Sequence, residues 1–310
     1  MSHFKTKILT ADDGENICYY HWKHNPDIPL KGVVQISHGI GEYAGRYDHF
    51  AHKLQLEGYE IYANDHRAHG KTAELKGLFG FYDGDDYFED CANDMHSLAN
   101  IMRQEHPKAK FILFGHSMGS LLSRTFVAKY PQKPDALILS GTASFIKGLG
   151  NFGLIATRIT TKVKGRGRKN DTLKSIFFGE FNKKFKPNRT KFDWLSTDKK
   201  EVDIFIEDPY RVEDLSLGIF QDVIKNTKKL GKKESIECIP KKLPILFFSG
   251  DEDPVGEMGK GVKKIYKKYK KQGIEDITLN LYEGGRHEML KETNSEQVEN
   301  DILRWIESRI

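Results

Sequence analysis

The chain has 310 residues, 38% of them hydrophobic and 30% charged, with a formal net charge of +5. That balance excludes a disordered chain, and the length suits one α/β domain built on a single sheet that carries an insertion. No window approaches the roughly 18 uninterrupted apolar residues of a membrane-spanning helix, so any membrane contact is expected to be peripheral.

Taken in chain order, runs rich in Val, Ile, Phe and Tyr predict strands at 7–10 and 17–22, read as a hairpin, and then at 33–37, 60–64, 110–114, 136–140, 245–249 and 277–282. Between them, helical periodicity is clearest from Tyr87 to Met102, where Cys91, Met95 and Leu98 fall one turn apart. Further helices are expected over 47–57, 119–130, 260–271 and 295–308. Alternating strands and helices imply a mostly parallel sheet covered on both faces.

The alternation lapses between Gly141 and Leu243, which predicts a core formed by 1–140 and 244–310 and an inserted cap, or lid, over 141–243. From Lys147 to Lys200 fifteen Lys or Arg face four Asp or Glu, so the cap is the basic part of an otherwise acidic molecule. Such a surface suits peripheral contact with an anionic membrane, but a plain solvated lysine face that keeps the protein soluble explains it more simply. No recognition-helix, RNP or zinc pattern accompanies the charge, which argues against nucleic acid as a partner. Cys18, Cys91 and Cys238 stand far apart and outside any CxxC pattern, so neither a disulfide framework nor a metal site is expected. With no apolar signal core in MSHFKTKILTADDG, a cytoplasmic location fits best.

Residues 110–119 read KFILFGHSMG, an apolar strand that runs through G-x-S-x-G into a helix. This is the pattern of a nucleophile elbow, in which a serine on a sharp strand-to-helix turn lifts its hydroxyl above the sheet, and it makes Ser117 the candidate nucleophile. The chain order that goes with such an elbow places an acid after a later strand and a histidine after the last. His287 follows the last predicted strand; after the one before it come Asp251, Glu252 and Asp253, of which Asp253 is favoured because Pro254 stiffens the turn, with Asp251 as the alternative. Two backbone N–H groups are candidate oxyanion donors: that of Ile40, in the turn His38-Gly39-Ile40-Gly41, and that of Met118, at the start of a helix.

HGIGEYAGRY at 38–47, NDHRAHGKT at 64–72, GHSMG, SGDEDP and YEGGRHEML together resemble the monoglyceride lipase and lysophospholipase branch of the α/β-hydrolases, over nearly the whole chain. The resemblance implies the α/β-hydrolase fold, a triad of Ser117, Asp253 and His287, oxyanion donors at Ile40 and Met118, and no cofactor or metal. It also sets Glu42 and Arg46 near the head-group end of the substrate, although a local ion pair is an equal reading. In the animal monoglyceride lipases a second histidine three residues beyond the catalytic one helps to hold glycerol, whereas this chain has Leu290. The expected reaction is two-step hydrolysis of a single-chain lipid ester, a lysophospholipid or monoacylglycerol, with Phe145, Phe152, Leu154 and Ile155 as candidate lining of an acyl channel, although a plain buried helix face explains their spacing at least as well. The alternatives are a short-chain carboxylesterase or thioesterase and a non-catalytic ligand-binding member of the fold.

Overall fold

The computed structural model describes residues 3–130, 133–143, 151–170, 174–175, 178–179 and 181–310, with 151–156 described in backbone only. All eight predicted strands are present: β1 (Lys5–Thr10), β2 (Asn16–Trp22), β3 (Gly32–Ser37), β4 (Tyr59–Asn64), β5 (Lys110–His116), β6 (Ala136–Ser140), β7 (Ile245–Gly250) and β8 (Ile277–Tyr282). They form one sheet in the order β1-β2-β4-β3-β5-β6-β7-β8. β1 and β2 form the expected antiparallel pair, β2 meets β4 antiparallel, and every later pairing is parallel.

Burial on both sides explains the unbroken apolar runs of the central strands. Along β5, Phe111 and Leu113 enter one core, while Ile112 and Phe114 point through the sheet into the other. The first core is closed by the helices Tyr87–Glu105, Met118–Lys129 and Lys260–Lys271, and the second by Asp48–Leu56 and Ser295–Glu307. Asp86 caps the longest of these, its carboxylate accepting from the N–H groups of Phe88 and Glu89.

Between β6 and β7, which are neighbours in the sheet, the described residues add no strand but do add the helices Asn151–Lys164, Lys199–Glu207, Leu217–Leu230 and Lys233–Glu237. The sequence reading bounded no helix here, although it left open a buried helix face at Phe152, Leu154 and Ile155, which fall in the first of these. The helix Leu217–Leu230 sends Ile219, Phe220, Val223 and Ile224 into the first core, so the later part of the segment is rooted in the body of the protein. A separate apolar knot of Trp194, Leu195 and Phe205, flanked by Phe178, Phe181 and Phe192, gives the earlier part its own small core. No described helix is long and apolar enough to cross a membrane.

Candidate active site

Parallel strands send their carboxyl ends to one edge, and the candidate residues leave from that edge. β5 ends at His116 and turns through Ser117 into the helix Met118–Lys129. Ser117 has φ 52° and ψ −118°, a backbone conformation that a residue with a side chain rarely adopts. The turn is tight enough that a methyl group on Gly119 would lie 2.0 Å from the carbonyl oxygen of Ser37, so only glycine fits.

The imidazole of His287, 2% exposed, sits between the other two groups. Its Nε2 is 2.9 Å from Ser117 Oγ and its Nδ1 is 3.0 Å from Asp253 Oδ1. With Nδ1–H donating to the carboxylate, Nε2 is left to accept the serine proton. Asp253 is the acid that faces His287; it also accepts from Ser249 Oγ at 3.0 Å and from the Val255 N–H at 2.9 Å. Asp251 turns away and accepts from the Gly284 N–H. Burial disfavours the imidazolium, but the Asp253 carboxylate beside it more than offsets that, and His287 is held above the ordinary imidazole value of 6.5. His116, whose ring is 4.8 Å from that of His287, is pushed down to about 3 by burial and by His287 itself. It is therefore neutral and presents no competing charge.

Ile40 and Ser117 line the same cavity, and a methyl on Gly39 would stand 3.2 Å from Ser117 Cβ, which shows how closely the loop after β3 approaches. Among the described residues, neither the Ile40 nor the Met118 N–H is paired with a protein acceptor. Met118 opens its helix, where first-turn N–H groups have no intrahelical partner.

Glu42 and Arg46 come together with a residue the sequence reading missed, Glu288. The Arg46 guanidinium donates to Glu42 Oε2 at 2.8 Å and grips both oxygens of Glu288 at 2.9 and 2.8 Å. Glu42 in turn accepts from the Gly39 N–H and from Tyr47 Oη. Burial would raise the Glu288 carboxyl, but Arg46 overrides it and holds the group low. This chain of bonds ties the loop that carries Ile40 to the loop that carries His287. Replacing Arg46 by methionine would leave two buried carboxylates facing each other and is expected to cost about 3–5 kcal/mol of stability. A urea titration reads this directly; a loss below about 1 kcal/mol would mean that the network is peripheral to the fold.

Over the site lies a cavity of about 580 Å³ that reaches Ser117 and His287 and is lined by Phe178, Phe192, Trp194, Leu195, Phe205 and Val212. The Trp194 ring is 5.1 Å from that of His287. Nothing in the sequence around Trp194 marked it, because its role depends wholly on how the segment folds back. Of the residues expected to line an acyl channel, Phe145 and the side chains of Phe152, Leu154 and Ile155 lie outside the described residues.

A family profile described as serine aminopeptidase, S33 (Hydrolase_4) matches residues 28–294. The chain belongs to this family. Among relatives of the S33-family chain, the monoacylglycerol lipase of Mycolicibacterium smegmatis is 28% identical over 305 residues, spanning 96% of this chain and 95% of the relative. The monoglyceride lipase of Rattus norvegicus is 27% identical, spanning 97% of this chain and 90% of the relative. A thermostable carboxyl esterase from Bacillus coagulans, solved in complex with glycerol, superimposes with a TM-score of 0.93 at 25% identity, covering 100% of this chain and 99% of that one. The S33-family chain is thus a hydrolase of the α/β-hydrolase fold, similar over nearly its whole length to monoglyceride lipases.

Proposed function

We propose that the protein hydrolyses carboxylic esters of single-chain lipids, with Ser117 as nucleophile, His287 as general base and Asp253 as the acid that orients and stabilises it. The observation that carries this reading is the large aromatic-lined cavity that ends at Ser117. A single acyl chain buries its surface along such walls, and its carbonyl carbon then sits before the serine hydroxyl. His287 takes the Ser117 proton as Oγ adds to the carbonyl, and the Ile40 and Met118 N–H groups receive the oxyanion. The same imidazole then protonates the departing alcohol. Water, deprotonated by His287, attacks the acyl-enzyme and frees the acid. The segment 141–243 acts as the cap that shapes the cavity, with the helix Leu217–Leu230 as its anchored base and its cationic surface available to anionic lipid.

Aminopeptidase activity, which the family description allows, is disfavoured by charge. The cavity carboxylates among the described lining residues are Glu42, Glu213 and Glu288, and each is already paired, with Arg46 or with Lys174 and Arg211. None of the three stands without a cationic partner, although Glu42 and Glu288 share the single charge of Arg46. The relatives named as monoglyceride lipases and the glycerol-bound esterase favour a monoacylglycerol over a lysophospholipid, and Leu290 sets the head-group end apart from the animal enzymes.

A panel of monoacylglycerols, lysophospholipids, p-nitrophenyl esters of graded chain length and aminoacyl anilides tests the proposal. We expect kcat/KM to rise with acyl length as each further methylene enters the cavity, by up to about fourfold per carbon, and aminoacyl anilides to be inert. Faster turnover of an aminoacyl anilide than of any monoacylglycerol would reverse the assignment.

A further inference from the structure

At the opposite end of the sheet, a second group of chemically capable side chains gathers around Glu60. In β4, Glu60 stands level with Val33 of β3, and Val33 with Phe111 of β5. Phe111 precedes Ser117 by six residues, so at about 3.3 Å per residue the group lies roughly 20 Å from the serine along the strands.

Glu60 is 1% exposed, and three imidazoles surround its carboxylate. His21 Nε2 is 2.5 Å from Oε1, His24 Nδ1 is 2.6 Å from Oε2, and His106 Nε2 is 3.2 Å from Oε1. A second carboxylate, Glu105, approaches through Tyr62, whose hydroxyl is 3.0 Å from Glu60 Oε1, 2.6 Å from Glu105 Oε2 and 3.2 Å from His106 Nε2. That hydroxyl has one proton and cannot donate to both carboxylates at once.

We propose that His21, Glu60 and Glu105 form a binding site for a divalent transition-metal cation of the zinc class, with His106 and His24 beside it. Ligand atoms from the three residues already lie within 4.8 Å of one another. A zinc ion with bonds of about 2.0–2.1 Å spans about 3.3 Å between tetrahedral ligands, so the widest of these separations must close and the 2.5 Å contact between His21 Nε2 and Glu60 Oε1 must open as the metal enters. Imidazole nitrogen with carboxylate oxygen is a donor set that suits zinc and its first-row neighbours better than calcium or magnesium, which favour oxygen alone.

The site is also held in place. His21 is paired with Tyr62 across β2 and β4, and its ring stacks on the Tyr62 ring at 4.3 Å, which fixes the direction of Nε2. The Tyr62 hydroxyl then serves as the outer partner that orients the carboxylates. Glu105 is exposed and His24 and His106 are partly so, which leaves an approach from solvent. The metal joins β2, β4 and the carboxyl end of the helix Tyr87–Glu105, and at its distance from Ser117 it braces the fold and takes no part in the reaction. The donors come from distant segments, which is why no ligand spacing in the sequence announces them.

The test is Zn²⁺ titration of chelator-stripped protein against a chromogenic chelator, with the thermal midpoint as a second reading. Wild type is expected to hold one tight equivalent and to melt at higher temperature with it. Glu105→Gln and His21→Gln should weaken binding by at least about tenfold. His3→Gln serves as the control, because His3 stacks on His52 at 3.7 Å beside Asp48 and offers a rival surface chelate. Should His21→Gln fail to fold, the exposed Glu105 variant still decides. The proposal is overturned if wild type holds no stoichiometric zinc, if Glu105→Gln binds as tightly as wild type, or if the equivalent disappears in His3→Gln.

Discussion

Ser117→Ala is expected to lower ester turnover by about 10⁵- to 10⁶-fold and to abolish covalent capture of a fluorophosphonate probe. The loss is that large because the remaining groups act through the hydroxyl: without it, His287 has no nucleophile to deprotonate and the oxyanion donors stabilise an intermediate that does not form. Alanine keeps a Cβ at the same left-handed backbone position, so the substitution adds no new strain and the urea midpoint should stay close to that of wild type. Probe labelling of the alanine variant at the wild-type rate, or a folded wild type that resists the probe, would remove Ser117 from the mechanism.

Asp253→Asn is the second substitution with a large effect, a loss of about 10³- to 10⁴-fold in kcat. The carboxylate stabilises the imidazolium formed when His287 takes the serine proton, and a neutral amide does not. It also leaves a signature in the pH profile. Wild-type kcat/KM should rise with pH as His287 loses its proton, with a midpoint above the ordinary 6.5, because Asp253 holds the imidazole up against the opposing effect of burial. With Asp253 neutralised, burial dominates and the midpoint moves to lower pH. An unchanged midpoint in a soluble short-chain ester assay would show that the limb belongs to another group.

All eight strands could be read from the chain because buried parallel strands are short apolar runs set between helical ones. The ends were harder. β5 runs on to His116, past the predicted end at Phe114, because Gly115 and His116 still pair with Leu139 and Ser140 of β6 although neither looks like a strand residue. Which of the acids after β7 faces His287 also had to await the turn geometry, since Asp251 and Asp253 are chemically alike. The meeting of serine, acid and histidine was legible for a topological reason, as each follows a strand whose carboxyl end lies on one edge.

What failed to show in the sequence was contact that depends on distant parts of the chain. Glu42 and Arg46 are four residues apart and suggest a pair by themselves, but Glu288 is 242 residues from Arg46. The helix Lys199–Glu207 buries only Val202 and Phe205, too faint a periodicity to stand out among its charges. Trp194 gains its place beside His287 only through folding that brings together residues 93 positions apart in the chain.

Because β6 and β7 are adjacent and parallel, everything between them is a detour that the sheet itself does not require. Such a loop can grow, shrink or be exchanged while the strands and the groups at their tips keep their positions. The limit is the helix Leu217–Leu230, whose apolar side completes the interior and must survive any exchange. On the proposed reading, chemistry and selectivity are thereby housed in parts of the chain that can change independently, so descendants of one hydrolytic centre can come to serve very different molecules.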